Sequence, residues 1–350
     1  MYVNVVGRSD GSVTVTVEQP DDCQKFHVAG QGVAMAEIAA ALEAAGGGTA
    51  DGDHAWIEAG FVRRHAHGRV GVDWTQRFEG MLAYAAKKEW LDADGRVRAH
   101  CELMLDEVHA VETADATMSV LVKRPPGEGP FPVVVMFHDG PGVRDATHDV
   151  ARRVAAGGFY VAVPDRYNRF GEFLSVAPEQ IPRADPNHED AKRFFAMFRA
   201  TTDDHVRVDL DALLTHVATD PAARTGPMGC IGYCIGARSA LRAVAAHPEV
   251  FEAAVGLHPS FCVTSDADSP HHIVARSSAG FYFGFGEADT LQPVSDAQPL
   301  IESLRAGGHE VDIFPGAEHG FAVPGGAYDR EASNTAYGSA LRLFAERLGA

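Results

Sequence analysis

Residues 228–236, MGCIGYCIG, decide the fold of this 350-residue chain. Their first six residues form an apolar run typical of a buried strand, and the segment that follows has the composition of a helix. Gly232 and Gly236 flank a turn so tight that side chains at these positions would collide. Such an elbow presents Cys234 at a helix N-terminus, where the dipole favours a thiolate, and leaves the N–H of Ile235 free to face an oxyanion. The alternative interpretation is a buried structural cysteine between a closely packed strand and helix.

The chain on both sides of this elbow alternates strand and helix patterns. A continuous β-branched run, Val133–Phe137, is expected of a strand that is buried on both faces. Further strand candidates are Ser119–Lys123, Tyr160–Val163, Met228–Tyr233, Ala253–Leu257, Gly280–Phe285 and Glu310–Phe314, and helix candidates are His148–Gly157, Val206–Ala218, Ala237–Ala246 and Asn334–Leu348. This alternation predicts the α/β class, with a mostly parallel sheet covered by helices on both faces and right-handed crossovers.

Two polar residues follow later strand candidates in the order that a nucleophile at Cys234 requires. Asp289 lies in GEADTLQP and His319 lies in GAEHGF, each just after a strand candidate. In enzymes with the α/β-hydrolase fold, an acid and then a histidine stand on loops after later strands. The histidine can take the thiol proton, and the acid can hold the imidazole in one tautomer and orientation. Each residue alone could be an ordinary loop residue, but the three in order predict a Cys-His-Asp triad.

Five segments of the C-terminal two thirds resemble the dienelactone hydrolase family of α/β-hydrolases. They are PFPVVVMFHD, GGFYVAVPDRYNR, GCIGYCIGARSA, GEADTLQP and GAEHGFA, and the resemblance spans roughly Val108–Leu348. A cysteine rather than a serine in the elbow, preceded by Tyr233, is fairly specific within the superfamily. The resemblance implies Cys234 as the nucleophile, His319 as the base and Asp289 as the acid that orients it.

The resemblance also implies a function for the segment FHDGPG, which follows the strand candidate Val133–Phe137. The family has an acidic residue at this place that governs the ionisation of the resting thiol, and here it is Asp139. Gly140 is then expected to supply the second oxyanion N–H. Asp139 is one methylene shorter than the glutamate usual among the family's founding members, and the alternative is a carboxylate that caps the following turn.

The expected substrate pocket departs from the family pattern. Family members that act on dienelactone carry an arginine four residues past the catalytic histidine, and this chain has Val323 there, close to Phe321. Tyr233 and Arg193 are further candidates for pocket residues. The segment Asn168–Arg199 is expected to lie over the site as a cap. Without the cation, a buried substrate carboxylate would lack a partner, so neutral or apolar substrates are expected to be preferred.

The first 104 residues lie outside the resemblance and are predicted to form a separate small α+β domain of unassigned function, ahead of a hydrolase domain at 105–350. Val13–Val17 alternates as a short strand would, and Ala34–Ala45 and Thr75–Leu91 are helix candidates. This N-terminal domain is a candidate for contacts in a homo-oligomer.

Composition limits the classes of partner. Thirty Lys and Arg stand against 48 Asp and Glu, a net charge of −18 that repels phosphate backbones and anionic lipid. No apolar run approaches the ~20 residues that cross a bilayer, and the N-terminus lacks a secretory pattern.

Five cysteines, an odd number, indicate reduced thiols in the cytoplasm. Cys230 and Cys234 have no second ligand pair at zinc spacing, so neither a metal nor a cofactor is expected.

These observations predict a dienelactone hydrolase-like carboxylic ester hydrolase that cleaves a small-molecule ester, lactone or thioester through an acyl-enzyme intermediate. An acyltransferase would use the same residues and would partition its product toward an added alcohol or thiol. A non-catalytic binding or regulatory protein on the same fold would show no turnover in an esterase assay.

Overall fold

The computed structural model describes residues 1–7, 12–31, 33–125, 129–175 and 189–349. The chain divides into two compact units, Met1–Asp106 and Glu107–Ala350. Each unit has an apolar core of its own. None of the helices in these ranges combines the length and the hydropathy of a membrane-spanning segment.

The first unit has an α+β arrangement. Its strands are β1 (Tyr2–Gly7), β2 (Val13–Glu18), β3 (His27–Gln31), β4 (Gly48–Asp51), β5 (His54–Ile57) and the first part of β6 (Val97–Glu112), and its helices are α1 (Met35–Ala44), α2 (Ala59–Ala66) and α3 (Trp74–Lys87). β1 pairs antiparallel with β2 and parallel with β3, β3 pairs parallel with β6, and β5 pairs antiparallel with both β4 and β6. The apolar face of this sheet packs with α1, α2 and α3 around Ile38, Leu42, Phe61 and Phe78.

The second unit contains a mostly parallel sheet, as the alternating pattern predicts. Its strands are β7 (Thr117–Arg124), β8 (Val133–Phe137), β9 (Tyr160–Pro164), β10 (Met228–Tyr233), β11 (Phe251–Leu257), β12 (Gly280–Gly286) and β13 (Glu310–Phe314). The strand order is β13-β12-β11-β10-β8-β9-β7. Every neighbouring pair is parallel except β7 and β9, which are antiparallel.

Helices cover both faces of this second sheet. They are α4 (Asp145–Ala155), α5 (Glu189–Ala200), α6 (Asp203–Val217), α7 (Ile235–Ala246), α8 (Val294–Ala306) and α9 (Arg330–Leu348). Val133 and Val135 of β8 belong to a core that includes residues of α6, α7 and α8. On β10, Cys230 joins the same core, whereas its neighbour Gly229 lies against Phe344 of α9. Because successive residues of a strand point to opposite faces, a sheet covered twice requires the unbroken apolar runs seen in the sequence.

The parallel strands end at a common edge of the sheet, where α/β proteins build their sites. The segments that follow β8 to β13 therefore bring residues from distant parts of the sequence to one place. These residues are Asp139 after β8, Arg166 after β9, Cys234 after β10, His258 and Ser260 after β11, Asp289 after β12 and His319 after β13.

A glycine in the sheet allows a test of how tightly this core is packed. Gly256 of β11 lies directly opposite Phe283 of β12, and a Cβ on Gly256 would stand 2.2 Å from Cε1 of that ring. We expect Gly256→Ala to lower the free energy of unfolding by about 1–3 kcal/mol, because overpacking forces side chains and backbone to shift. Equilibrium denaturation measures the loss. The variant Gly256→Ala/Phe283→Leu should recover part of it, and strictly additive losses would contradict the proposed clash.

Candidate active site

The elbow at the end of β10 has the tight geometry that its two glycines predict. Cys234 has φ 54° and ψ −119°, a backbone conformation that a residue other than glycine rarely adopts. A Cβ on Gly232 would stand 2.0 Å from the carbonyl oxygen of Gly236, and a Cβ on Gly236 would stand 2.1 Å from that of Phe137. Neither position accepts a side chain, so the close contact of α7 with β8 and β10 depends on both glycines.

The loops after β12 and β13 bring Asp289 and His319 together. The Nδ1 atom of His319 is 2.6 Å from Oδ2 of Asp289. The other carboxylate oxygen accepts the backbone N–H groups of Leu291 and Gln292, at 2.9 and 2.8 Å. These three contacts fix the carboxylate and therefore the orientation of the imidazole. Within the described part of the chain, Nε2 of His319 is buried and has no partner at hydrogen-bond geometry.

The thiol of Cys234 and the ring of His319 interact electrostatically. Burial raises the pKa of the Cys234 thiol, but the neighbouring His319 and the hydroxyl of Ser260 outweigh it, so the pKa is lowered overall. Burial lowers the pKa of His319, whereas Cys234 and Asp289 raise it, to about 10. Both shifts favour the same state, in which the proton is on the imidazole and the sulfur is a thiolate.

Asp139 lies close to this site and forms an ion pair with an arginine. Its two oxygens accept hydrogen bonds from Nη1 and Nη2 of Arg144, at 2.5 and 2.8 Å. The charge of Asp139 tends to raise the pKa of Cys234, whereas its hydrogen bonds go to a guanidinium. That Asp139 governs the resting thiol stays a prediction.

The two backbone groups expected to hold an oxyanion come after β10 and after β8, which are neighbouring strands of the sheet. Ile235 is the first residue of α7, so its N–H has no acceptor within the helix. The carbonyl oxygen of Gly140 accepts the hydroxyl of Tyr167 at 2.7 Å, which holds the peptide of that turn in place. In the described ranges, no hydrogen bond from the N–H of Gly140 is found.

Three of the residues expected in the substrate pocket are buried. Tyr233 is buried, and its hydroxyl is 2.7 Å from that of Tyr337. Phe321 is fully buried against Phe314, and Val323 is also buried. Aromatic and β-branched side chains at these positions pack in the apolar interior, and their contact with a substrate stays a prediction. Arg193 is exposed on α5. Of the expected cap, residues 176–188 lie outside the described residues.

The sequence interpretation missed two residues of the loop after β11. His258 is fully buried, and its ring lies edge-on to that of His319, with centroids 5.0 Å apart. Burial and the charge of His319 hold the pKa of His258 well below its usual range, so this ring stays neutral. Ser260 is also buried, and its Oγ is 3.5 Å from Sγ of Cys234. The sequence HPS offered no signal, because the contacts arise only when β10 and β11 pair.

The first unit holds one group of side chains with the chemistry of metal ligands. Within the described ranges, Asp53, His54 and His100 have ligand atoms within 4.8 Å of one another. Arg98 places Nη2 3.3 Å from Nδ1 of His54, so a cation already occupies one side of this group. The group belongs to the first compact unit, Met1–Asp106.

The parallel sheet, the elbow after β10 and the acid and base after β12 and β13 define the α/β-hydrolase class. Residues 118–348 match the model of the dienelactone hydrolase family, and the chain belongs to that family. It is accordingly a carboxylic ester hydrolase, for which esters and lactones are the substrate types.

Known relatives match somewhat more than half of the chain. A Synechocystis protein described as a putative carboxymethylenebutenolidase is 27% identical over 232 residues, which are 64% of this chain and 89% of that protein. A Bradyrhizobium protein described as a probable 2-oxo-3-(5-oxofuran-2-ylidene)propanoate lactonase is 27% identical over 207 residues, 57% of this chain and 76% of that protein.

Solved structures with a similar fold cover about two thirds of the chain. A putative dienelactone hydrolase from Klebsiella pneumoniae superposes with a TM-score of 0.58 at 22% identity, covering 69% of this chain and 99% of that one. The dienelactone hydrolase-like promiscuous phosphotriesterase P91, from metagenomic libraries, superposes with a TM-score of 0.55 at 20% identity, covering 70% and 99%.

The pKa differences among the thiols predict selective alkylation. Iodoacetamide at pH 7.5 should modify Cys234 at least ~10-fold faster than any other cysteine, because the thiolate is the reactive form. Burial raises the pKa of the other four: Cys23, Cys101 (to about 11), Cys230 and Cys262 (to about 12). Peptide mass spectrometry over a time course gives each rate. Cys23 is the internal control, since it is less buried than Cys234; faster labelling of Cys23 would contradict the ionised state of Cys234.

Proposed function

We propose that the protein hydrolyses its ester or lactone substrate through a Cys-His-Asp triad of Cys234, His319 and Asp289, with a covalent acyl-enzyme intermediate. The observation that carries this proposal is the meeting of all three at one sheet edge. Cys234 stands there on the strained elbow, and His319 is held by Asp289 at 2.6 Å. Shifts of both pKa values toward a thiolate and an imidazolium support the same assignment.

In the first half of the reaction, the sulfur of Cys234 attacks the carbonyl carbon. The carbonyl π electrons move to oxygen, and the N–H groups of Ile235 and Gly140 stabilise the resulting oxyanion. The tetrahedral intermediate then collapses: the bond from carbon to the leaving oxygen breaks, and the imidazolium of His319 donates its proton to that oxygen. The products are a free alcohol, or the opened hydroxyl end of a lactone, and a thioester on Cys234.

In the second half, water replaces the alcohol. The now neutral His319 takes a proton from water as the oxygen attacks the thioester carbon, and the same two N–H groups stabilise the second oxyanion. Collapse expels the sulfur as a thiolate and releases the carboxylic acid. Asp289 keeps its position throughout, because it stabilises the imidazolium and preserves the tautomer without taking the proton.

The charges around the site support a neutral substrate. Two arginines near Cys234 are matched by carboxylates: Arg144 binds Asp139, and Arg238 binds Asp203 through Nε and Nη2 at 3.0 and 2.7 Å. At these two guanidinium groups, a substrate carboxylate would have to displace an existing partner. Arg166 instead donates to neutral acceptors in the protein interior.

An aromatic wall beside the oxyanion group adds positive support for an apolar substrate. We define this wall as Phe194, Phe198 and Phe261. Cζ of Phe194 lies 3.3 Å from the position of a Cβ on Gly140. Ring centroids are 5.8 Å apart for Phe194 and Phe198 and 5.9 Å apart for Phe198 and Phe261. Phe261 is 46% exposed although it directly follows Ser260, so an apolar surface faces solvent next to the nucleophile.

Substitutions in the triad test the mechanism. His319→Ala should lower kcat about 10²–10⁴-fold, the usual contribution of a general acid or base. Cys234→Ala should lower it at least as much, and the double variant little further, because residues that share a step are not additive. Cys234→Ser should stay folded and lose most of the rate. Steady-state kinetics on an activated ester and intact-mass detection of the acyl adduct provide the measurements.

Matched controls for these variants are Cys101→Ala and His67→Ala, which remove the same side-chain types from the first unit. Both should retain wild-type kcat. Full activity after complete alkylation of Cys234, or losses that simply multiply in the double variant, would refute the triad.

A pair of substrates tests the charge preference. We expect kcat/KM to be at least ~10-fold higher for a neutral aryl ester than for its carboxylate-bearing analogue, a difference of about 1.4 kcal/mol in transition-state stabilisation. Both esters should have the same leaving group, so that the intrinsic reactivity of the ester bond is the same in the two substrates. A preference for the anionic ester would show that Arg166, Arg193 or Lys192 forms an ion pair with the substrate carboxylate.

The aromatic wall is tested with the same neutral ester. Phe261→Ala should lower kcat/KM about three- to tenfold, which corresponds to the loss of one aromatic contact. It should leave a methyl ester almost unaffected. Tyr84→Ala, which removes a ring that is 54% exposed in the first unit, is the control. Equal losses in both variants would contradict the assignment of the wall.

A further inference from the structure

We propose that Ser260 donates a hydrogen bond to the ionised sulfur of Cys234 and thereby sets the pH above which the nucleophile is active. The inference deepens the proposed function and rests on it, because it concerns the same sulfur. Its geometric basis is the loop His258–Phe261, which follows β11 and faces the elbow.

Three contacts attach this part of the chain to Cys234. Oγ of Ser260 is 3.5 Å from Sγ, within hydrogen-bond distance for sulfur. The backbone N–H of Ser260 donates to the carbonyl oxygen of Cys234 at 3.0 Å. The backbone N–H of Cys234 in turn donates to the carbonyl oxygen of Leu257 at 3.1 Å. The backbone contacts fix the distance between the two side chains. Ser260 is 1% exposed, so solvent water has little access to take its place.

The loop adopts an unfavourable backbone on both sides of Ser260. His258 has φ 39° and Phe261 has φ 58°, and neither is a glycine. Residues in the left-handed region cost free energy and persist where the surrounding structure imposes them, frequently at functional sites. The N–H of His258 donates to the carbonyl oxygen of Gly284 on β12 at 2.9 Å, which holds the start of the loop. The strain accompanies a conformation that points the hydroxyl at the sulfur.

The hydroxyl of Ser260 is available to donate a hydrogen bond to the sulfur of Cys234. Among the described residues, Sγ of Cys234 is the hydrogen-bond partner of this hydroxyl, so no other acceptor competes for its proton. Asp139, the other candidate for a side chain that acts on the thiol, is occupied by Arg144. The ionisable groups that interact with the sulfur from neighbouring segments are Asp139, Arg166, Tyr167, Cys262 and His319. Of these, His319 is the proton acceptor.

The direction of the effect follows from the charge of the sulfur. A hydroxyl that donates to a thiolate stabilises the charged form, so its removal raises the pKa of the cysteine. We expect Ser260→Ala to raise the inflection of the rate of Cys234 alkylation against pH by about one unit, a tenfold change in the ionisation constant. The plateau at high pH should rise about threefold, because a more basic thiolate is the stronger nucleophile.

The experiment follows iodoacetamide labelling of Cys234 in the full-length protein from pH 5 to pH 10 by peptide mass spectrometry. Ser260→Thr keeps the hydroxyl and should restore the wild-type inflection. Ser269→Ala is the matched control, because Ser269 is as buried as Ser260 and bonds to Thr264 and His271 instead. It should leave the inflection unchanged. If Ser260→Ala does not fold, Ser260→Cys, with a weaker donor, is compared with Ser260→Thr and should have the higher inflection.

The outcomes separate this inference from the function on which it rests. An unchanged inflection in folded Ser260→Ala, or a lowered plateau without a shifted inflection, overturns the part assigned to Ser260, since the second result indicates a structural effect. If wild-type Cys234 shows no selective labelling at neutral pH, the proposed nucleophile itself is wrong.

Discussion

The close contact between the start of α7 and the ends of β8 and β10 is the constraint on which the rest of the site depends. At both glycines of the elbow, backbone atoms occupy the space where a side chain would begin. This contact forces Cys234 into a left-handed conformation and directs its sulfur away from the sheet. Every other functional group is positioned relative to that sulfur, because each stands at the end of a strand that pairs in register with β10 or with one of its neighbours.

The site also controls where its proton resides. His138, His258 and His319 all lie near the ends of the same strands. Burial lowers the pKa of His138 to about 4 and holds that of His258 well below its usual range, so both rings stay neutral. His319 alone of the three has a carboxylate on Nδ1 and a sulfur close to the other side of the ring. A proton released by the thiol therefore has one favourable destination, although three imidazoles are close.

Sequence patterns predicted the elbow and the buried strands, because the conformation of each depends on residues that are close together in the sequence. The elbow needs two glycines at fixed spacing, and the buried strands need unbroken apolar runs, so both could be inferred from the sequence. The helix expected over Thr75–Leu91 ends at Lys87, because Glu89 turns to φ 58°. Helix α8 was missed since Pro299 interrupts its pattern. The ion pair of Arg144 with Asp139 and the contact of Ser260 with Cys234 depend on tertiary packing, which no spacing rule encodes.

The proposed thiolate of Cys234 has a consequence outside catalysis, because it is open to oxidation. Peroxide, like a carbonyl carbon, reacts with the thiolate rather than the thiol, and converts it to a sulfenic acid and then to irreversible higher oxides. Burial keeps the other four thiols protonated and so protects them. With the proposed thiolate at Cys234, oxidation by peroxide is expected at this sulfur before the other four.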